Sequence, residues 1–542
     1  MALPGDNEPP ASAVLDEAHL GDIKGALGTI RQQDLEARKT WRARLLTLAA
    51  IVGPGLIVMV GDNDAGGVAT YSQAGQNYGT SLLWVLLLLI PVLIVNQEMV
   101  VRLGAVTGVG HARLIKERFG RFWGWFSVGD LLVLDFLTIV TEFIGVDLAL
   151  GYFGVSRFVS VPLACAGLVA MTATGSFRRW ERFMLLFVAA NFLVIPLAVF
   201  AHPRAGPVVH GLFVPGISGG LDSTSVLLVI AIVGTTVAPW QLFFQQSNVV
   251  DKRITPRWIN YERADTIVGS FITVVAAGAM IATCAFAFEH SSFFGRFHNA
   301  AFVASALDHR LGSPAGVLYA LVLLNASIIG AAAVTLGTSY AFGDFFGARH
   351  SLHRTAREAP GFYASFAGLV AVAGGVVLIP HAPLGLITTA VQALAGILLP
   401  SASVFLLLLC NDRDVLGPWV NKPWLNMVAT LIIGLLLVLS LILVATTVFP
   451  RLDVRILLLV LGAALVVTVV TGAVVSIGRR REAPAAPSGE RRETWRMPPV
   501  ALLGRPAWTR ARTTAMWALR GYLVVAVALL LVKAVQLGSG RH

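Results

Sequence analysis

Two apolar stretches of this sequence are interrupted by residues that do not suit a helix inside a lipid bilayer. The first, about residues 45–74, contains Gly61-Asp62-Asn63-Asp64-Ala65-Gly66-Gly67. The second, about residues 225–250, contains Gly234-Thr235-Thr236-Val237-Ala238-Pro239. A carboxylate in hydrocarbon is costly unless it meets a cation, and irregular backbone is tolerated there only where it lines a cavity. Two such interruptions together indicate the binding site of a transporter, here for a metal cation.

The first interruption supplies hard oxygen ligands. We expect the helix to end near Gly61 and to restart after Gly67. The Gly61 carbonyl then lies free beside the Asp64 carboxylate, and such oxygens suit a divalent cation. Asp62 and Asn63 add a second acid and an amide oxygen. The alternative for either of these two is that it only caps the following half-helix.

The second interruption adds a backbone ligand. Pro239 removes the hydrogen bond to the carbonyl near Thr235, so that this carbonyl becomes a candidate ligand. Trp240 follows on the second half-helix, where it either packs or walls the aqueous path.

Neither interruption contains methionine, cysteine or histidine. Soft sulfur ligands favour late transition metals, whereas oxygen ligands suit Mg²⁺, Ca²⁺ and Mn²⁺. Mg²⁺ usually keeps several waters when bound, and the small residues Gly66, Gly67 and Ala238 are expected to leave room for them. The residues alone therefore indicate a partly hydrated hard divalent ion.

Two further polar positions fall in apolar stretches. Glu142 lies seven residues after Asp135, so both occupy one helical face. They either line an aqueous path or pair with arginines at helix ends. Gln392 either makes an interhelical hydrogen bond or forms a wall of the ion site.

The composition is that of a polytopic membrane protein. The chain has 542 residues, of which 56% are hydrophobic and 13% charged, whereas soluble domains carry about 25% charged residues. The net charge of +11 comes from basic clusters between apolar stretches, which indicates membrane orientation rather than nucleic-acid binding. We expect a cytoplasmic N-terminus without a cleaved signal peptide. The expected location of the protein is the plasma membrane, which in a bacterium is the inner membrane. The sequence indicates no resident cofactor and does not reveal the oligomeric state.

About twelve spans are expected, each of about 20 apolar residues. They lie near residues 44–75 (broken), 80–104, 123–150, 157–174, 183–201, 222–250 (broken), 263–288, 314–342, 361–380, 384–409, 425–449 and 455–477. A thirteenth candidate, residues 521–537, is short and contains Lys533, so it either spans the membrane or lies on its surface.

Because helices one and six are the broken ones, we expect an all-α fold with two five-helix repeats of inverted topology and two or three additional C-terminal helices. The expected segments are a cytoplasmic arm (1–43), the first repeat (44–201), an extracellular loop (202–221), the second repeat (222–409), helices eleven and twelve (410–477), a cytoplasmic linker (478–515) and the candidate extra helix (516–542).

These motifs resemble the Nramp family of divalent-metal transporters, from helix one to about helix eleven. The family's first helix opens with Gly-Pro-Gly followed by Asp-Pro-Gly-Asn, and this chain has Gly53-Pro54-Gly55 and, at the same spacing, Asp64-Ala65-Gly66-Gly67. The agreement continues through Gln73-Ala74-Gly75, Leu82-Leu83-Trp84, Arg102-Leu103-Gly104-Ala105-Val106-Thr107-Gly108, Gln392, Pro400, Asn411, Val420-Asn421 and Trp424-Leu425-Asn426. The resemblance implies a leucine-transporter-like fold.

The departures from the family pattern resemble the Nramp-related magnesium transporter branch. Gly67 replaces the family's asparagine, and Ala238-Pro239-Trp240 replaces Met-Pro-His. Ile139 replaces the acid that precedes Glu142 by three residues. The resemblance implies transport of Mg²⁺ and Mn²⁺ through a widened site without proton coupling. It places the following around the ion: Asp64, Gly67, the Gly61 and Thr235 carbonyls, Ala238 and Gln392.

Three other functions remain as alternatives. A proton-coupled Mn²⁺/Fe²⁺ importer would use acids such as Glu142 and Asp62 to carry protons. An amino-acid or organic-solute carrier on the same fold would present half-helix N-termini to a substrate carboxylate, which Asp64 would repel. An intramembrane enzyme would need a Gly-x-Gly-Asp or His-Glu-x-x-His signature, and the sequence has neither. We therefore expect a transporter and not an enzyme.

Overall fold

The computed structural model is almost entirely helical, and it describes residues 17–34, 36–380, 384–449, 452–479, 492–504, 513, 516–522 and 524–525. The helices are α1 (Trp41–Ile51), α2 (Pro54–Gly61), α3 (Ala65–Tyr78), α4 (Leu83–Thr107), α5 (His111–Phe119), α6 (Arg121–Tyr152), α7 (Arg157–Thr172), α8 (Phe177–Ala190), α9 (Val194–Phe200), α10 (Ala205–Phe213), α11 (Ser223–Thr236), α12 (Pro239–Asp251), α13 (Ile259–Phe288), α14 (Ala300–Leu311), α15 (Ser313–Phe346), α16 (Pro360–Val377), α17 (Leu384–Cys410), α18 (Arg413–Leu416), α19 (Pro423–Val448) and α20 (Val454–Arg479).

Every one of the twelve expected spans corresponds to a helix or a group of helices. Among the described residues, nine helices are long and apolar enough to cross a membrane, or up to ten if the bent pair α1–α2 counts as one span. Three expected spans are not among the nine. The first is divided among α1, α2 and α3, α6 carries four acidic residues, and α7 has only 16 residues.

The two interruptions lie where the sequence places them. In the first, α2 ends at Gly61 as expected, but α3 begins at Ala65 and not after Gly67. The expected restart was wrong because glycines 66 and 67 continue the helix once a cap precedes them. In the second, α11 ends at Thr236 and α12 begins at Pro239, whose ring favours the first helical position.

Helix packing brings the interruptions together. α13 lies along α2, α3 and α4, whereas α15 lies along α6 and α12. α11 packs against α17 and α3. As a result, the two interruptions, the middle of α6 and the middle of α17 surround one point inside the bundle.

Several segments expected to be loops contain helices. The expected loop at residues 202–221 contains α10, and the stretch between the expected spans at 263–288 and 314–342 contains α14. In the linker, residues 492–504 return to the bundle, where the Met497 N–H donates to the Val106 carbonyl. Of the candidate thirteenth helix, residues 521–522 and 524–525 are helical, and its remainder lies outside the described residues.

The N-terminal arm is folded onto the bundle. It contains a short antiparallel pair, β1 (Ile23–Lys24) and β2 (Thr29–Ile30). Arg178, Arg182 and Arg253 all donate hydrogen bonds to carbonyls of the arm. The basic clusters that carry these three residues therefore lie at the same end of the bundle as the arm, and we call it the basic end.

Candidate metal-binding site

Asp64 forms the start of α3. Its backbone is extended, and its Oδ1 accepts a hydrogen bond of 2.6 Å from the Gly67 N–H, so that Asp64 is the N-cap of the half-helix. The capping role considered for Asp62 or Asn63 therefore belongs to Asp64. The carboxylate can still accept other bonds in this role, because each oxygen has further lone pairs. Asp64 is only 2% exposed, so these oxygens lie inside the bundle.

Glu142 of α6 approaches the same point. Its Oε2 accepts a hydrogen bond of 3.1 Å from the Ala65 N–H, the first amide of α3. A Cβ at Gly330 of α15 would lie 2.7 Å from Glu142 Oε2 and 2.9 Å from Asp64 Cβ. Only glycine at position 330 lets the two acidic side chains lie side by side, a requirement that the sequence reasoning missed.

The alternative that Asp135 pairs with an arginine is not what the structure shows. Asp135 Oδ2 accepts a hydrogen bond of 2.6 Å from Thr338 Oγ1 on α15. Neither Asp135 nor Glu142 forms a salt bridge within the described part of the chain.

Thr235 brings the second interruption to Asp64. Its Oγ1 lies 3.5 Å from Asp64 Oδ1. The Val237 N–H bonds to the Val233 carbonyl, and Pro239 has no N–H to offer. Thr235 thus contributes a hydroxyl beside the carboxylate, in addition to the backbone carbonyl considered from the sequence.

Gln392 of α17 covers the start of α3. A Cβ at Gly66 would lie 1.7 Å from Gln392 Nε2, so the amide rests directly on this glycine. A Cβ at Gly67 would lie 3.1 Å from Thr235 Oγ1 and 3.2 Å from the Asp62 carbonyl oxygen. The open room expected at both glycines is therefore filled in this conformation.

Trp240 lies beside Gly61, the last residue of α2. Its ring edge would lie 3.5 Å from a Cβ at Gly61, and the ring also packs against Phe244. Ala238, the residue before Pro239, is buried and offers only a methyl group. Of the two alternatives considered for Trp240, the structure shows the packing, and a role as a wall of an aqueous path stays a prediction.

Asp62 and Asn63 face different surroundings. Both carboxylate oxygens of Asp62 are buried without a hydrogen-bond partner among the described residues. Asn63 Nδ2 donates to the Thr273 carbonyl at 3.2 Å, which ties the break to α13, and its Oδ1 is unpartnered within the same described set. Asp62 therefore remains a second buried acid next to the site.

The site gathers polar side chains from four helices without an internal cation. The structure brings Asp64, Glu142, Thr235 and Gln392 together around the first turn of α3, with Gly61 and Trp240 on its other side. Among the described residues, no lysine or arginine forms an ion pair with Asp64, and no group of three or more His, Cys, Asp or Glu side chains is arranged to hold a metal. The arrangement can receive a cation, but it is not a preformed metal cluster.

The comparisons with known proteins agree with this architecture. Residues 55–446 match the family described as natural resistance-associated macrophage protein-like, Nramp. The chain is 27% identical over 419 residues to the divalent metal cation transporter MntH of Bacillus subtilis, with 74% of this chain and 93% of that protein covered. It is 31% identical over 291 residues to the divalent metal cation transporter MntH of Erwinia tasmaniensis, with 52% of this chain and 68% of that protein covered. The solved manganese transporter of Eremococcus coleocola superimposes with a TM-score of 0.59 at 21% identity, with 85% of this chain and 99% of that chain covered.

The fold and the paired helix interruptions define a multi-span membrane transporter. The chain belongs to the Nramp family, whose members are transporters and not enzymes. The expected all-helical fold with broken helices one and six is confirmed.

Proposed function

We propose that the protein takes up Mg²⁺, and also Mn²⁺, as a partly hydrated ion by alternating access, without proton coupling. The observation that carries this proposal is the donor set around Asp64. It consists of carboxylate and hydroxyl oxygens, with the Gln392 side-chain amide over Gly66 and with Ala238 where the family motif has methionine. Oxygen ligands without sulfur suit hard divalent ions. The same donor set supports the resemblance to the magnesium branch of the family.

Alternating access is supported by the closed state of the site. Asp64 and Gln392 are each 2% exposed, so an ion reaches them only after α3 and α17 separate. At the end opposite the basic end, a cavity of about 730 Å³ lies between the C-terminal ends of α3 and α13, lined among others by Tyr78, Arg204 and Glu289. We assign this cavity to the entry side.

The membrane potential supplies enough driving force without protons. A negative-inside potential of 100 mV is worth about 4.6 kcal/mol for a divalent ion, twice the value for one charge. That energy corresponds to a concentration ratio of about 2,000, since about 1.4 kcal/mol is a factor of ten.

A proton-coupled Mn²⁺/Fe²⁺ importer is the second candidate, because one observation favours it. Asp64 and Glu142 lie side by side around Gly330, and two neighbouring carboxyl groups hold a shared proton readily. The relatives named as manganese and divalent metal cation transporters also support transport of such ions. An organic-solute carrier is disfavoured, since the Asp64 carboxylate itself occupies the N-terminus of α3.

For the orientation, we propose that the basic end faces the cytoplasm of a bacterial cell. The arm and the clusters that contain Arg178, Arg182 and Arg253 lie together at that end, as the positive-inside rule requires. A protease site inserted in the arm tests the orientation, since cleavage is expected only from the cytoplasmic side.

The deciding experiment is ion flux in proteoliposomes, with Mg²⁺ and Mn²⁺ compared while an internal dye reports pH. We expect Mg²⁺ uptake without acidification, and none in Asp64→Asn liposomes. Mn²⁺ uptake with acidification and without Mg²⁺ flux would instead establish the proton-coupled importer.

A further inference from the structure

A second oxygen cage lies at the basic end, and it holds a cation that belongs to the protein. Lys252, the residue that directly follows α12, is 1% exposed. Its Nζ donates to the Ile51 carbonyl at 2.6 Å, to the Val52 carbonyl at 2.9 Å and to Glu181 Oε1 at 2.5 Å. An ammonium group has three N–H donors, so all of them are used.

A carboxylate from another helix holds the adjoining residues. Asp265 Oδ2 on α13 accepts hydrogen bonds from the N–H groups of Gly53, Gly55 and Leu56 at 3.0, 2.8 and 3.2 Å. These amides have no partner inside α2 because they precede or form its first turn. Asp265 thus caps α2 from outside its own sequence.

Together, Lys252, Glu181 and Asp265 form what we call the clasp. It fastens the start of α2 to α8, α12 and α13, which are three separate helices. The chain passes through the clasp at Gly53, whose φ is +156° and whose Cβ would lie 2.0 Å from Glu181 Oε1. Only glycine fits this position.

The arm shields the clasp from water. The Ala26 N–H donates to Glu181 Oε2 at 2.5 Å, and a Cβ at Gly25 would lie 2.0 Å from the Ala50 carbonyl oxygen. Arg178 and Arg182 fasten this part of the arm through hydrogen bonds to its carbonyls. A charged pair excluded from water in this way opens only when the arm and α2 move together.

The position of the clasp relates it to ion release. α2 has eight residues, and it carries the clasp at its first turn and Gly61, next to the ion site, at its last. A buried ion pair adds little net stability compared with apolar packing, but it fixes one arrangement of the parts it joins. The clasp therefore fixes the position of the half-helix that closes the site toward the basic end.

We propose that Lys252 is a positioning residue for ion release. With Glu181 and Asp265, it holds α2 in the closed position, and the ion leaves toward the basic end only after its ammonium group releases the carbonyls of Ile51 and Val52. The direction of release rests on the proposed function, whereas the effect of the clasp on the position of α2 does not.

Two cysteine reporters measure the position of α2 in a chain whose native cysteines, Cys165, Cys284 and Cys410, are replaced by alanine. Ser270→Cys on α13 reports the basic end, since Ser270 is fully buried and its Oγ lies 3.5 Å from Met59 Sδ on α2. Ser72→Cys on α3 reports the other end, where Ser72 Oγ lies 2.9 Å from Tyr319 Oη. A membrane-impermeant maleimide is added from each side of oriented vesicles without any metal.

With Lys252→Met we expect labelling of Ser270→Cys to rise about tenfold, because several charge-assisted hydrogen bonds are lost together. Labelling of Ser72→Cys should stay the same or fall. Glu181→Gln and Asp265→Asn, which keep the side-chain shape, should raise Ser270→Cys labelling by smaller factors.

The matched control is Arg118→Met, which removes another buried cation, one that bonds Asp412 and Asp414 far from α2. This control should leave Ser270→Cys labelling unchanged. Unchanged labelling in folded Lys252→Met protein overturns the proposal, as does an equal rise in the control. If Lys252→Met does not fold, Glu181→Gln decides by the same criterion. Absence of Mg²⁺ flux in the unmodified protein would refute the proposed function alone, because the labelling shift needs no ion.

Discussion

The proposed ion site around Asp64 and the clasp are two polar cages built from similar parts, but only the clasp contains a cation of the protein itself. Each combines a buried carboxylate with further oxygen atoms at a point where a helix is interrupted. In the clasp these are Glu181 and the carbonyls of Ile51 and Val52, and around α3 they are Asp64 and the Thr235 hydroxyl. The clasp contains the ammonium group of Lys252. Within the described residues, the ion site contains no basic side chain in contact with Asp64. In our proposal, the cage with its own cation locks a position, whereas the cage without one exchanges a cation with solution.

This difference assigns an energetic role to each cage. An isolated buried carboxylate is costly, and the cost falls when a cation arrives. In the clasp the compensating cation is always present, because the ammonium group of Lys252 is part of the chain. If Asp64 binds the transported ion as proposed, compensation there comes only with that ion, and the burial that makes the empty site unfavourable also contributes to the affinity for the ion.

The sharpest way to break the comparison is to remove the charge at Asp64. Two unit charges 4 Å apart attract by about 4 kcal/mol at an effective dielectric constant of 20, and a divalent ion doubles this value. We therefore expect Asp64→Ala and Asp64→Asn both to reduce Mg²⁺ flux in proteoliposomes below detection.

The two substitutions differ in their effect on the fold. Asn caps a helix about as well as Asp, whereas Ala costs about 1 kcal/mol at this position. Asp64→Asn should thus keep the thermal stability of the unmodified protein, and Asp64→Ala should lower it. Near-normal Mg²⁺ flux in Asp64→Asn would show that the ion does not bind at the start of α3.

The second prediction changes the chemistry of the cage and keeps its charge. Ala238→Met restores the thioether of the family motif, and sulfur favours softer transition metals over Mg²⁺. We expect the ratio of Mn²⁺ to Mg²⁺ flux to rise about tenfold, which corresponds to about 1.4 kcal/mol. Ala238→Leu is the control, with similar bulk and no sulfur. An equal change in both variants would show that size and not softness sets the preference.

The third prediction concerns the two glycines. Gly66→Ala places a methyl group where the Gln392 amide lies, at 1.7 Å from Nε2, so the amide must move away. Loss of one such donor group is worth about 1–2 kcal/mol, so we expect the KM for Mg²⁺ to rise about tenfold. Gly67→Ala meets its neighbours at 3.1 Å or more and should have a smaller effect.

A double-mutant cycle checks the mechanism. If Gly66→Ala acts through Gln392, its effect should vanish in a Gln392→Ala background. If the effects of Gly66→Ala and Gln392→Ala on KM were additive, the Gln392 amide would not contact the ion.

The sequence was informative where local chemistry decides the structure. Glycine, proline and aspartate in apolar stretches located both interruptions, and Asp64 was placed correctly beside them. Asp64 and not Asp62 is the N-cap because the backbone is extended at Asp64. Asp and Asn have similar preferences for the N-cap position, so the sequence does not show which of these neighbouring residues takes it.

What escaped prediction depends on distant contacts. Gln392 covers Gly66 because of how α17 is placed against α3, which no local pattern encodes. The clasp joins Lys252 to residues 71 and 201 positions earlier in the chain, and lysine at a helix end looks like an ordinary interfacial charge. Buried charge pairs of this kind become visible only when the helices are assembled.

The smallest predicted effect concerns a second built-in cation, His350, in the loop between α15 and α16. Its Nδ1 donates to the Ala348 carbonyl at 2.7 Å and its Nε2 lies 3.1 Å from Asp344 Oδ1. A carbonyl and an ionised carboxylate both accept hydrogen bonds, so this geometry suits a ring that carries two protons. Burial is the largest single influence and lowers the pKa of His350, but the charge and hydrogen bond of Asp344, the Ala348 carbonyl and the charge of Asp251 together raise that pKa above its ordinary value. The charged or titratable groups Asp251, His19 and His353 also lie nearby, and the Tyr340 ring packs against His350.

A raised pKa in the folded state has a definite sign for stability. The stabilisation from His350 is complete below pH of about 6.5, the ordinary value for histidine, and it is lost as the pH rises through the raised pKa. We expect the Tm of the detergent-solubilised protein to fall by about 1–2 °C across that range. His350→Gln should flatten this part of the pH profile, whereas His309→Gln in α14 should retain it. An unchanged slope in His350→Gln would show that the ring is neutral, and the comparison of built-in cations would then rest on Lys252 alone.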